Sequence, residues 1–332
     1  MGGFTDTFLR EQLLDRRERL NSAIAVSRQG GSLVALLNEV DSALARMNEG
    51  TYGLCETCHE SVEKTRLLAD PLVRYCLDHL TPDQRRLLQD DLDLASQIQR
   101  ELLPQEDLTL DGWLVAFHYR TIGPVSGDYC DVIPSAEDDK DWFFILGDAS
   151  GKGVAASMLM AHLHAIFRAL VATGLPMHRL VERASHVFCE STVSPYFATL
   201  VCGRAGMSGE VELCNAGHCP PLVIREGQVT RLEATGLPLG LFCEGQYSVQ
   251  TLRLRPGDSL LLYTDGLTEA RNATDEEYGE ERLSNLARER HVPRPRALLG
   301  ACLDDLSTFL SGTPLRDDLT LMAICRTDGT LM

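Results

Sequence analysis

Apolar positions along this chain change their spacing twice, and the changes divide it into three stretches. Over residues 5–28, Leu9, Leu13, Leu14 and Leu20 recur near helical spacing with charges between them, which predicts a helix. Gly30-Gly31 interrupts the pattern. Leu33, Leu36, Leu37, Val40, Leu44 and Met47 then fall on one face of a second helix, from about Ser32 to Asn48. Two helices around a Gly-Gly turn predict an antiparallel hairpin. A short cysteine-bearing module follows to about Leu80. Residues 82–103 return to a helical pattern, opened by Pro82 and stopped by Pro104. A helix between two different regions can transmit torsion or pairing, which a flexible linker cannot.

From about Asp111 the pattern becomes one of short strand-like runs: WLVAFHY, WFFILGD, YFATLVCG, EVELCNAG, PLVIREG, SLLLYTDG and LTLMAIC, divided by Gly, Pro and Asn turns. Helical stretches interrupt them at about Val154–Thr173 and Pro176–Ser191, and a last helical region, about Glu280–Leu310, precedes the final strand. Strands in blocks with helices in pairs predict an α+β layered sandwich. The predicted organisation is a helical hairpin with a small module over 1–80, a linker helix over 81–104 and a second domain over 105–328.

Length and composition agree with two soluble domains: 332 residues, 44% hydrophobic and 24% charged. No run of 18 apolar residues occurs, so no membrane span is expected. The N-terminus lacks an apolar core with a cleavage site, which makes a cytoplasmic location the expectation. The formal net charge is −17, and residues 1–80, with 9 basic and 12 acidic side chains, contribute little of it. The excess acidity therefore lies in the second domain. Such a surface repels nucleic-acid phosphates and suits cations, so direct nucleic-acid binding is not expected.

Eight of the eleven cysteines are scattered (130, 189, 202, 214, 219, 243, 302 and 325), and are expected to be reduced core residues without a disulfide framework. The other three form a pattern, Cys55-x2-Cys58-x17-Cys76-x2-His79. Two such knuckles place four soft ligands for a closed, tetrahedral structural Zn²⁺ site. His79 is the expected fourth ligand; Asp78 and His59 are weaker candidates because neither keeps the x2 spacing. The stretch ALARMNEGTYGLCETCHESVEKTRLLADPLVRYC resembles the zinc finger of the DksA/TraR transcription regulators, which often carry four cysteines. Its upstream hairpin departs from that family. The helices are only about 20 residues, roughly 30 Å, and the turn Ser27–Ser32 has no acidic pair. A structural or partner-docking role, including homodimerisation through these helices, is therefore expected in preference to action on RNA polymerase.

Four acidic motifs punctuate the second domain: Val125-Ser126-Gly127-Asp128-Tyr129, Leu146-Gly147-Asp148-Ala149-Ser150-Gly151-Lys152-Gly153, Tyr263-Thr264-Asp265-Gly266 and Asp317-Asp318-Leu319-Thr320. A carboxylate at the end of an apolar strand is costly unless a cation matches it. Several converging on one sheet edge, without histidine or thiolate, select hard ions, Mg²⁺ or Mn²⁺. Two such ions about 4 Å apart can hold a water and lower its pKa for attack on phosphorus. GDASGKG is not a phosphate loop, because Lys152 has the wrong spacing and Gly153 follows it.

In this order the motifs, together with LASQIQRELLP, NAGHCPPLV, LPLGL and YGEERL, resemble the sigma-regulating bacterial branch of the PPM (type 2C) serine phosphatases over about residues 91–327. The resemblance implies an α/β/β/α sandwich and two Mn²⁺ or Mg²⁺ ions. Asp148 would bridge the metals, the Ala149 carbonyl would face the second, Asp265 and Asp317 would hold the first, and Asp128 would hold metal-bound water. Asp318 would orient its neighbours, unless it exchanges roles with Asp317. Where eukaryotic relatives have a histidine acid, this chain has Ser150, which leaves water as the proton source. Their phosphate-binding arginine has no clear match; Arg120 is the nearest candidate. His218 in the Asn-Ala-Gly-His turn is expected to be structural, and His162 and His164, two apart on a helix, cannot share one face. The resemblance also implies a phosphoserine or phosphothreonine substrate on a STAS-type anti-anti-sigma protein, with the zinc module acting through residues 82–103.

Overall fold

The computed structural model describes residues 3–26, 31–80, 82–105, 107–134, 141–192, 196–289 and 293–328. Of the predicted turn over 27–32, residues 27–30 lie outside the described residues. The chain divides into two compact units, Met1–Asp91 and Leu92–Met332. The boundary falls inside the predicted linker helix, which is observed as a continuous helix over Pro82–Glu101.

In the first unit, α1 (Gly3–Val26) and α2 (Gly31–Glu49) pack antiparallel. Arg10 Nη2 donates to Asn48 Oδ1 at 2.8 Å and Arg17 Nε pairs with Asp41 Oδ1 at 2.8 Å, so contacts near one end of α1 meet the far end of α2. Leu13, Leu20, Val40, Ala43 and Leu44 form the shared core. Leu14 is exposed, because one residue of helix turns it about 100° away from Leu13. A second small core, Leu9, Cys55, Val62, Leu67 and Cys76, holds the cysteine module with α3 (Lys64–Ala69) and a tight helical turn at Leu77–His79.

The linker helix, α4, leads into the second unit, an α/β/β/α sandwich. One sheet holds β1 (Asp107–Leu110), β2 (Trp113–Arg120), β11 (Leu319–Arg326), β10 (Ser259–Tyr263), β7 (Leu222–Arg225) and β8 (Gln228–Arg231), in that spatial order. The other holds β3 (Asp128–Pro134), β4 (Trp142–Ala149), β5 (Ala198–Ala205), β6 (Glu210–Ala216) and β9 (Gln250–Arg253). The paired strands are antiparallel throughout. Trp113, Phe144, Leu146, Leu260, Leu262 and Met322 fill the space between the sheets. Helices α5 (Gly153–Val171) and α6 (Met177–Ser191) cover the β3–β9 sheet. Beyond the short α7 (Asp265–Thr268), α8 (Glu280–Glu289) and α9 (Pro295–Leu310) cover the other. Each central strand is thus buried on both faces, which is why WFFIL and SLLLY are continuous apolar runs rather than alternating ones.

Two expectations need correcting. The single helical region over 280–310 is two helices, because Pro293 and Pro295 disfavour helical backbone before them. The scattered cysteines are not all free. Cys189, near the end of α6, is bonded to Cys243 in the loop after β8, with their Cα atoms 5.3 Å apart. Folding brings together two positions 54 residues apart, which spacing alone does not reveal. Helix α5 is long and apolar enough to cross a membrane by length and composition; Ala156, Met160, Leu163, Ile166 and Phe167 form its buried face, while Val154 and Met158 are exposed.

Strand β3 alternates in both directions. Cys130 and Val132 face the inter-sheet core, while Tyr129 and Ile133 face α5 and α6. Asp131, also on the helix side, is fully buried and receives both arms of Arg168 from α5, at 2.7 and 2.8 Å. Removing the guanidinium leaves a buried carboxylate without its charge partner. Arg168→Ala is therefore expected to destabilise the chain by about 2 kcal/mol, discounted for the half-exposed arginine, with Arg168→Lys intermediate. Urea unfolding of the three proteins measures this.

Candidate metal centres

The four acidic motifs meet at one end of the sandwich, contributed by both sheets. Asp128 opens β3 and pairs across the ladder with Asp148, the penultimate residue of β4. Asp265 opens α7 directly after β10, and Asp317-Asp318 lead into β11, the neighbour of β10. Thr264 and Thr320, from the ends of β10 and β11, both donate their hydroxyls to Asp128 Oδ2, the former at 3.1 Å. Asp318 Oδ1 accepts the Ile122 backbone N–H at 2.8 Å, and the Asp318 N–H is donated to Asp317 Oδ1 at 3.0 Å. These bonds tie Asp318 to the segment after β2, while Asp317 Oδ2 lies 2.7 Å from Lys152 Nζ.

Electrostatics mark the group as one site. Burial, then the charges of Asp265, Asp317 and Asp318, push the Asp148 carboxyl up to about 7, partly offset by Lys152. Burial and the nearby Glu269 and Asp317 raise Asp265. Asp128, buried and beside Asp148, lies well above the usual carboxylate range despite its threonine donors. Like charges held this close favour either protons or a cation.

Two close approaches shape the rim. A Cβ on Gly127 would come within 2.8 Å of the Ala149 carbonyl oxygen and 3.1 Å of Asp148 Oδ1, so the glycine preserves a cradle of oxygen atoms. A Cβ on Gly266 would lie 1.8 Å from the Asp318 carbonyl oxygen, so the start of α7 rests directly on the Asp317–Asp318 backbone. The donor set, carboxylates and a carbonyl, fits hard divalent cations.

Other residues singled out by sequence fall as follows. Ser150 Oγ accepts the Phe197 N–H at 2.9 Å and its own N–H is donated to the Phe197 carbonyl, so it fastens the turn after β4 to the start of β5. His218 is buried, its Nδ1 lies 2.8 Å from Thr199 Oγ1, and burial lowers its pKa to about 4, which favours the neutral imidazole. His164 lies 3.6 Å from Asp131, away from the rim, and His162 Nε2 lies 3.2 Å from Ser191 Oγ. Arg120 is exposed at the end of β2, opposite Leu319. Sequence reasoning missed Thr264 and Thr320, although both lie inside the acidic motifs. It also missed Gln99 of α4, a buried amide that donates to the Ser126 carbonyl at 2.7 Å and accepts the Ser126 N–H at 2.9 Å, two residues from Asp128. A lone glutamine in a polar helix gives no signal of that.

In the first unit Cys55, Cys58, Cys76 and His79 converge, with their ligand atoms all within 4.8 Å of one another. Cys58 Sγ and Cys76 Sγ are 3.8 Å apart, and Cys76 Sγ lies 3.2 Å from His79 Nδ1. Burial pushes the Cys55 thiol up, but the backbone N–H groups of Cys58, Cys76 and Thr57 outweigh it and bring it down to about 6. Burial, then the side chains of Cys55 and Cys58, push the Cys76 thiol up to about 11, so the thiols resist carrying their charges together. The sulfur and nitrogen donor set fits one shared tetrahedral cation.

A two-sheet sandwich with helices outside and a carboxylate rim at one end defines the PP2C-type phosphatase fold, seen also in the SiaA-PP2C domain of Pseudomonas aeruginosa (TM-score 0.61, 20% identity, 74% of this chain and 98% of that one). The chain belongs to the Stage II sporulation protein E (SpoIIE) family, which residues 138–327 match. Residues 50–78 match the prokaryotic DksA/TraR C4-type zinc finger; His79, the fourth member of the cluster, lies one residue beyond. Among curated relatives, protein IcfG of Synechocystis sp. is 26% identical over 265 residues, covering 71% of this chain and 41% of that protein. Phosphoserine phosphatase RsbU of Bacillus subtilis is 26% identical over 247 residues, covering 72% of this chain and 71% of RsbU.

Because Gly266 bears directly on Asp317 and Asp318, Gly266→Ala is expected to displace their loop. It should cost about 2 kcal/mol and weaken Mn²⁺ binding roughly tenfold. Urea unfolding and calorimetric titration measure the two effects.

Proposed function

We propose that the chain is a metal-dependent protein serine/threonine phosphatase that removes phosphate from a phosphoserine or phosphothreonine on a regulatory protein. The observation that carries this is the convergence of Asp128, Asp148, Asp265 and Asp317 on one rim, with the Ala149 carbonyl beside Asp148. Asp148, Ala149, Asp265 and Asp317 would hold two Mn²⁺ or Mg²⁺ ions, which supply water activation and charge neutralisation at the phosphoryl group. Asp128, fixed by Thr264 and Thr320, orients water on its side of the rim. Ser150, already engaged with Phe197, is not the acid, so the leaving serine takes its proton from water. The likeness to RsbU, named a phosphoserine phosphatase, supports phosphoserine as the group attacked. A STAS-type anti-anti-sigma protein as the substrate and the cytoplasm as the compartment rest on the motif resemblance alone.

The zinc module, with Zn²⁺ on Cys55, Cys58, Cys76 and His79, governs this site in our reading, through homodimerisation or a docked partner. Helix α4 is the route. It carries exposed Leu87, Leu88, Leu94 and Ile98 for pairing, and Gln99 grips the backbone beside Asp128. A second reading, a transcription regulator acting on RNA polymerase with the phosphatase fold as sensor, is favoured only by the zinc-finger match.

Two experiments follow. Phosphate release from a phosphorylated STAS-type protein should require Mn²⁺ or Mg²⁺ and fall at least about a thousandfold in Asp148→Asn. Turnover independent of both would refute the assignment. Elemental analysis should find one zinc per chain, lost in His79→Ala and retained in His79→Cys.

A further inference from the structure

One cation already sits on the carboxylate rim. Lys152 Nζ lies 2.7 Å from Asp317 Oδ2 and 3.1 Å from the Arg316 carbonyl oxygen. The side chain crosses from the turn after β4 to the loop before β11, between residues 165 apart in sequence. Its flanking residues, Gly151 and Gly153, both have positive φ (102° and 69°), while Lys152 itself is extended. The loop thus aims one lysine across the rim. Asp317, Asp318 and Asp265 all face the ammonium and raise its pKa, the hydrogen bond to Asp317 most. Conversely, Lys152 offsets the rise at Asp148 and Asp265. The pair is open to water, with side chains 64% and 46% exposed, so it can exchange partners readily.

We propose that Lys152 is an exchangeable counter-cation that competes with divalent metal for Asp317 and so sets the metal affinity of the rim. This rests on Asp317 being a metal ligand. An ammonium at hydrogen-bond distance uses the carboxylate oxygen that a divalent ion needs, and its positive charge opposes the ion's approach. Metal must therefore displace Lys152 from Asp317, and the strength of that pair is subtracted from the affinity. Because Lys152 is also the residue immediately before α5, displacement frees the tether between that helix and the β11 loop.

The test is Mn²⁺ titration calorimetry on the full chain at fixed ionic strength. Lys152→Met should tighten the Kd about tenfold, whereas Lys152→Arg should leave it within about threefold of the parent. In an Asp317→Asn background the Met substitution should tighten the Kd by less than about threefold, since the competed carboxylate is gone and only repulsion through space remains. An unchanged or weaker Kd in Lys152→Met would overturn the proposal, as would a tenfold tightening that persists in Asp317→Asn. No Mn²⁺ binding to the parent chain would overturn both this and the metal assignment. Binding with the expected shift but no phosphatase turnover would uphold the counter-cation and overturn only the activity.

Discussion

The rim depends on one buried carboxylate shared by two sheets. Asp128 belongs to the β3–β9 sheet, yet its Oδ2 accepts hydroxyls from Thr264 and Thr320 at the ends of β10 and β11 in the other. Between them the sheets are joined by apolar side chains, and directional bonds recur away from the rim, where Trp113 Nε1 donates to the Gly206 carbonyl and Arg225 Nη2 to the Arg253 carbonyl. Directional bonds at the rim fix how one sheet end sits over the other. They also decide where Asp265 and Asp317 lie relative to Asp148. The cost of burying Asp128 next to Asp148 is offset by these donors, and its raised pKa shows that the offset is incomplete.

Around that point the chain arranges close contacts that leave little slack. Gly266 seats α7 on the Asp317–Asp318 backbone, Gly127 leaves room beside Asp148, and Gln99 holds Ser126 from outside the sandwich. Ser150 and His218, chemically the more suggestive residues, serve instead to tie the turns after β4 and β6 to β5. Serine and histidine here fasten turns, glycines and a glutamine set close approaches, and of these residues the threonines alone act on the charge of Asp128.

Much of this was legible in the sequence because it depends on local spacing. The antiparallel hairpin, the four-ligand cysteine module and the strand-end aspartates each show within a short window, and the layered sandwich follows from the order of strand and helix patterns. What was not legible depends on contacts across the fold. Cys189 and Cys243 are 54 positions apart, Lys152 and Asp317 are 165 apart, and Gln99 meets Ser126 through a helix whose pattern is otherwise polar. The strands β1, β3, β8 and β9 are absent from the predicted runs, three because four residues show no period and β3 because Asp128 and Asp131 interrupt its apolar pattern.

The pairing of Asp128 with Asp148 across β3 and β4 has a consequence for folding. Side chains alternate along a strand, so a one-residue slip would send Asp128 to the helix side and bring Asp131 to the inter-sheet core. A slipped chain would bury the Asp131 carboxylate among apolar side chains, away from Arg168, and it would have no rim. Any cation held by the rim would then favour only correctly registered chains, so the site would act as a proofreader of its own scaffold.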